Sequence, residues 1–136
     1  MPTRRYKLSN KNPYKISHYK ALELRYFCLQ YPEWKKLYRE MNLSAPGISY
    51  DGIRVQNELK NNLEEKAIRL KDLSDKIRLV EETVHLASPE MEKWLLKGVT
   101  TETNYNELFF SDGIPCCEKQ YYILRRRFFW LLSKER

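Results

Sequence analysis

The sequence predicts an all-α fold with short N-terminal helices, one long heptad-patterned helix and a C-terminal helix-turn-helix. Only 4 of the 136 residues are Gly, and neither Gly nor Pro interrupts the chain between Gly52 and Pro89. Apolar residues recur at helical spacing on both sides of that stretch, and a turn signal at Gly113 separates the last two amphipathic segments. With 42% hydrophobic and 32% charged residues, the composition is typical of a helical protein with a well-solvated surface.

The N-terminal part is predicted to hold a basic arm followed by two short helices. Residues 1–16 are polar and basic, which favours an arm over a packed element. Ser17 is a suitable N-cap for a helix that runs to about Gln30. Pro32 suits the first position of a second helix, which ends at about Met41.

The long helix is predicted to begin near Asp51 or Gly52 and to end at about Leu86. A heptad frame fits it, with Gln56 and Lys66 as the only polar residues among ten seam positions. The sequence leaves two uses of this seam open: the shorter helices cover it as core, or two copies of the chain form a homodimer through residues 56–87. The seam positions are Gln56, Leu59, Leu63, Lys66, Leu70, Leu73, Ile77, Val80, Val84 and Ala87.

After the long helix, helical structure is predicted to restart at Ser88. This serine can cap a new helix, Pro89 suits its first turn, and Gly98 is expected to stop it just after Lys97. The chain then divides into a basic arm, a helical body and a helix-turn-helix domain. Their predicted bounds are residues 1–16, 17–87 and 88–136.

The last 36 residues have the layout of a helix-turn-helix. A short helix around Leu108 leads into a turn at Gly113, and a longer helix is predicted from about Cys116 to Lys134. Ile114 is an isolated apolar residue within the turn, so it is expected to plug the junction between the two helices. In proteins with this layout the second helix enters the major groove of DNA.

Positive charge is concentrated at the two ends of the chain. Residues 1–20 hold six Lys or Arg and no acid, and residues 113–136 hold six Lys or Arg against two Glu. Because the whole chain carries +7, the middle is mildly acidic at −3. This asymmetry favours a polyanionic partner that the two ends contact.

The longer C-terminal helix has side chains that suit a DNA interface. Gln pairs with adenine, Lys and Arg pair with guanine, and Tyr reaches a phosphate or a thymine methyl. Consecutive helical residues point about 100° apart, so we expect two of the three consecutive arginines to contact phosphates. The basic arm is expected to follow phosphates or enter a minor groove. The candidate DNA-binding residues are Lys119, Gln120, Tyr121, Tyr122, Arg125, Arg126, Arg127, Arg4, Arg5 and Lys7.

The sequence contains no motif that indicates a metal site, an enzyme or a membrane protein. The three cysteines, Cys28, Cys116 and Cys117, lack the spacing of a disulfide framework or a zinc site, so we expect no metal and no cofactor. No Gly-rich phosphate loop or nucleophile motif occurs, which favours a binding protein over an enzyme. No apolar run approaches the ~20 residues of a membrane span, and we expect a cytoplasmic protein with no membrane partner.

Two patches of sequence carry a resemblance to a known family. They are residues 26–35 (YFCLQYPEWK) and the C-terminal stretch in which 113–116 (GIPC) precedes 121–122 (YY) and 125–132 (RRRFFWLL). Together they resemble the RinA/ArpU-type regulators of late genes in phages and prophages of Gram-positive bacteria. The resemblance covers about half the chain and implies a DNA-binding transcriptional regulator with a C-terminal helix-turn-helix.

Alternative partners remain open at this point. The acidic middle also suits a phage-encoded interaction protein that inhibits a host nucleoprotein or defence complex, as anti-CRISPR proteins do. Host RNA polymerase or another host protein is a further candidate partner of a regulator. Aromatic-rich basic surfaces also serve RNA binding, so the sequence alone does not separate DNA from RNA.

Overall fold

The computed structural model describes residues 12–43 and 53–136, with side chains described from residue 60 onwards in the second stretch. All regular structure within these residues is helical, which confirms the all-α prediction. The described helices are α1 (His18–Leu29), α2 (Tyr31–Leu43), α3 (Ile53–Ala87), α4 (Glu92–Thr101), α5 (Tyr105–Asp112) and α6 (Glu118–Glu135).

Helices α1 and α2 lie close to their predicted bounds because a capping serine and a proline mark where each helix begins. The Ser17 hydroxyl accepts a hydrogen bond from the backbone N–H of Lys20 at 3.3 Å, which confirms the predicted N-cap. Helix α2 begins at Tyr31, so Pro32 occupies its second position, where no intrahelical N–H donor is needed. Residues 44–52, which separate α2 from α3, lie outside the described residues.

Helix α3 confirms the long helix, with 35 residues and a length of about 50 Å. The C-terminal half of its seam is core, since Val80 and Val84 are fully buried. Helix α2 is fastened to this half because the Tyr31 hydroxyl donates to the Glu81 carboxylate at 2.6 Å. The seam from Leu73 onwards is therefore covered within the chain, and only the half before Leu73 is left for a homodimer.

Helix α4 differs from its predicted bounds at both ends. The Ser88 hydroxyl accepts from the Met91 N–H at 3.3 Å, but this turn precedes the helix, which begins at Glu92. The prediction that Gly98 stops the helix is wrong, because Gly98 is buried inside α4. The helix instead ends where Glu102 adopts a left-handed φ of 54°, in an ion pair with the Arg25 guanidinium of α1.

Helix α6 packs against α1, α3 and α4. Its inner face consists of Tyr121, Phe128 and Leu132, and all three side chains are fully buried. Burial of such large apolar side chains stabilises a fold by about 1.5–3 kcal/mol each. The surrounding core residues are Leu24, Phe27 and Cys28 of α1, Val80 and Val84 of α3, and Leu95 and Val99 of α4.

Gly98 of α4 allows the Tyr121 ring of α6 to pack directly against the α4 backbone. A Cβ at Gly98 would overlap the Tyr121 hydroxyl and would lie 3.1 Å from the ring carbon Cζ. Within the described residues that hydroxyl is buried and forms no hydrogen bond of ordinary geometry, although the Arg125 guanidinium lies near enough to oppose the rise of its pKa. The close contact therefore depends on the missing side chain at Gly98.

We expect Gly98→Ala to lower the free energy of unfolding by about 1–2 kcal/mol, because overpacking outweighs the higher helix propensity of Ala. Tyr121→Phe is expected to leave that free energy unchanged or raised, since it removes an unpaired buried hydroxyl. Urea denaturation of both single variants and of the double variant measures the coupling. A Gly98→Ala cost that is undiminished in the Tyr121→Phe background would contradict the proposed overlap.

Candidate nucleic-acid interface

The turn between α5 and α6 has the bend that the sequence predicts at Gly113. Gly113 adopts φ +64°, a left-handed conformation that favours glycine, and its N–H donates to the carbonyl of Leu108. The N–H of Ile114 donates to the same carbonyl at 3.2 Å, and the Ile114 side chain is buried. This pattern ends α5 sharply and places Ile114 as the predicted plug.

Side chains from α4 and α5 fasten both ends of this turn. The indole N–H of Trp94 donates to the Asp112 carbonyl at 3.0 Å, and the Lys97 ammonium lies 2.6 Å from the Asp112 carboxylate. At the other end, the Tyr105 hydroxyl donates to the Cys116 carbonyl at 2.6 Å. The start of α6, two residues later than predicted, is therefore fixed relative to α4 and α5.

Two predicted DNA-binding residues of α6 lie on or beside its inner face. Tyr121 is fully buried, and burial raises the pKa of its hydroxyl. The prediction that Tyr121 contacts DNA is corrected, because its ring fills the core beside Gly98. Arg125 is half-buried and its guanidinium lies 5.6 Å from the centre of the Phe129 ring, which makes it the inward-turned member of the arginine triplet.

The outward face of α6 is formed by residues spaced three, four or seven apart. Three of its cations, Lys119, Arg127 and Lys134, are exposed, and Arg126 is half-buried at its edge. At about 100° per residue, Glu118 and Glu135 both fall more than about 100° from the centre of this face. The members of this outward α6 face are Lys119, Ile123, Arg126, Arg127, Trp130 and Lys134.

The other two predicted residues of the first turns lie at the margins of this face. Gln120 is exposed, beside the outward face, and remains a candidate for base contact. Tyr122 is half-buried, with its ring 5.3 Å from the Tyr121 ring, so only its edge is accessible. Residues Arg4, Arg5 and Lys7 lie outside the described residues.

Three members of the site were missed by the sequence reasoning: Ile123, Trp130 and Lys134. Lys134 was assigned to no surface, although 15 residues separate it from Lys119 and four helical turns bring both to one side. Trp130 was not among the predicted DNA-binding residues, yet it lies at the centre of the outward face. The Lys134 ammonium lies 3.6 Å from the centre of its ring.

The cysteines are divided between core and surface. Cys28 is fully buried, and burial raises the pKa of its thiol to about 12 against the opposing charges of Arg125 and Arg136. Cys117 is exposed at the N-cap of α6, and Cys116 beside it is half-buried with a raised pKa. Among the described residues, no group of three or more His, Cys, Asp or Glu is placed to hold a metal ion.

Comparison with known proteins gives no match to this chain. No protein-family model, curated protein or solved structure matches it. The likeness to RinA/ArpU-type regulators therefore stays a resemblance of residue patterns. No helix in the described part of the chain is long and apolar enough to cross a membrane.

We expect iodoacetamide at pH 8 to modify Cys117 first and to leave Cys28 unmodified until the protein unfolds, because thiolates react and Cys28 is buried as the thiol. Burial raises the pKa of the Cys28 thiol from its usual 9.0 to about 12, so the stability that this thiol contributes below pH 9 is expected to be lost as the pH rises between those values. Mass spectrometry of the labelled peptides follows each site. Equal rates at Cys28 and Cys117 in the native protein would contradict this assignment.

Proposed function

We propose that this chain binds duplex DNA through the outward face of α6, as a phage-type transcriptional regulator rather than an enzyme. The observation that carries the proposal is the charge of that face, which holds four cations and neither carboxylate of α6. The regulatory role rests in addition on the resemblance of the C-terminal patch to RinA/ArpU-type proteins.

The cations of the outward α6 face are distributed along the length of the helix. Lys119, the arginine pair and Lys134 form three tiers about 10.5 Å apart, since seven residues rise about 1.5 Å each. The major groove of B-DNA is about 12 Å wide and admits an α-helix. A helix laid in the groove would bring all three tiers close to phosphates, while Gln120 beside Lys119 faces base edges.

Duplex DNA fits this face better than single strands or RNA. Single-strand binding uses open aromatic rings on which bases stack. The aromatic residue of this face, Trp130, is half-buried, with Lys134 over its ring and the Tyr14 ring 5.4 Å away. The major groove of A-form RNA is too deep and narrow for a helix to read.

We expect Lys119→Gln, Arg127→Gln and Lys134→Gln each to weaken binding to all duplex sequences and to reduce the slope of log affinity against log salt by about 0.9 per cation. The reason is that a complex that lacks one of these cations releases about one counterion fewer when it forms. Fluorescence anisotropy with a labelled duplex at 50, 100 and 200 mM salt measures both quantities.

Lys36→Gln on α2 and Lys71→Gln on α3 serve as matched controls, because both lysines are exposed on other helices. They remove the same charge and are expected to leave most of the slope intact. Failure of the wild-type protein to bind any duplex at 50 mM salt would reject the proposal. Equal losses in the control and α6 variants would reject α6 as the binding face.

A protein partner is the second candidate, favoured by two exposed rings on α5. Phe109 and Phe110 are 50% and 81% exposed, and their ring centres lie 5.2 Å apart. Exposed apolar pairs of this kind are typical of protein contact sites. An inhibitor of a host nucleoprotein, or a regulator that contacts RNA polymerase, would use such a pair.

For this candidate, a pulldown from host lysate is expected to return one stoichiometric protein whose recovery Phe110→Ser abolishes, because that variant removes the exposed ring. Tyr19→Ser, which alters an 82% exposed ring on α1, is the matched control. Stoichiometric capture by a chain that has no DNA affinity would favour the inhibitor over the regulator. Capture that both variants reduce equally would remove the α5 pair as the contact.

A further inference from the structure

Ile123 is an apolar side chain in the middle of a cationic surface. It lies in the second turn of α6, and within this helix, whose side chains are all described, it is the only large apolar residue that is exposed, at 37%. Lys119 precedes it by four residues and Arg127 follows it by four, so both cations flank it on one side of the helix. Residues two apart point about 160° from each other, so Ile123 is directed away from the buried Tyr121. The core that fixes α6 therefore holds Ile123 towards solvent.

The N-terminal half of the outward α6 face is the half that is open to a groove. In the other half, the Tyr14 ring packs edge-on against Trp130 with centroids 5.4 Å apart, and the Lys134 ammonium lies 3.6 Å from the centre of the same indole. Trp130 is thereby half-buried, whereas Ile123, seven residues before it, is exposed. Because the N-terminal turns of a recognition helix are those that reach base edges, contacts to bases fall in this first half, around Ile123.

A partner that buries Ile123 has to offer an apolar group between negative charges. The flanking cations Lys119 and Arg127 each lie only about 6 Å away along the helix axis, since four residues rise about 1.5 Å each. The major groove of DNA has this combination, because the 5-methyl group of thymine projects into a groove that phosphates border. The adenine of the same base pair presents N6 and N7, which a glutamine side chain binds in a bidentate manner.

We propose that Ile123 reads thymine methyl groups in the major groove and gives the α6 face a preference for A·T pairs. Gln120 is exposed three residues earlier, a rise of about 4.5 Å against about 3.4 Å between base pairs, so it meets the adenine of the same or the next pair. The inference rests on the proposed function and names the bases that this face distinguishes. Cations bind the phosphates of every sequence alike, whereas the Ile123 contact differs between thymine and the other bases.

Replacement of thymine by uracil tests the inference, because uracil pairs in the same way and lacks only the 5-methyl group. Fluorescence anisotropy at 50 mM salt compares two 20-base-pair alternating duplexes, one of adenine with thymine and one of adenine with uracil. Wild type is expected to bind the thymine duplex about fourfold more tightly for each methyl group that it buries. Ile123→Ala is expected to weaken binding to the thymine duplex and to bind both duplexes equally. Ile123→Val, which keeps a branched hydrocarbon, is expected to retain most of the ratio.

Lys119→Gln is the matched control on the same face. It is expected to lower the affinity for both duplexes by the same factor, because a phosphate contact does not depend on the methyl group. Circular dichroism of Ile123→Ala verifies that the helices remain folded. Equal affinity of wild type for the two duplexes, or a ratio that persists in Ile123→Ala, would overturn the inference and leave the proposed function in place. Failure of wild type to bind either duplex would remove both.

Discussion

The rotation of α6 about its own axis is the constraint on which the candidate site depends. Tyr121, Phe128 and Leu132 are fully buried against three other helices, so α6 cannot turn without exposing large apolar side chains. Because residues in a helix are about 100° apart, fixing one face fixes the opposite face as well. The core therefore determines that Lys119, Arg127 and Lys134 point away from it.

Helix α4 determines where this face begins. Gly98 lets α4 lie close to Tyr121, and Trp94 and Lys97 of the same helix fasten Asp112 at the end of α5. One helix thus braces both the body of α6 and the turn that precedes it. Close packing transmits such constraints because protein interiors have few voids into which side chains can shift. The position of the first turns of α6 consequently follows from packing 20 residues earlier in the chain.

Local signals in the sequence were sufficient for the bounds of most helices, though not for those of α4, and were insufficient for helix rotation. Ser17 as an N-cap, the uninterrupted run of α3 and the bend at Gly113 are local features, and the structure contains all three. Gly98 was misread because a glycine inside a helix and a glycine at its end look alike when the partner, Tyr121, is 23 residues away. The outward face was incomplete because apolar or aromatic residues occur on every side of α6, and only the packing of other helices decides which of them are buried.

The two basic ends of the chain can act together only if they lie close in space. Charges in water are screened beyond about 8–10 Å at physiological salt, so two separate basic patches would bind independently. The contact between Tyr14 and Trp130 places the described end of the basic N-terminal segment next to the outward α6 face. The mildly acidic middle of the chain has no comparable net positive charge, so the sequence concentrates its attraction for polyanions at the two ends.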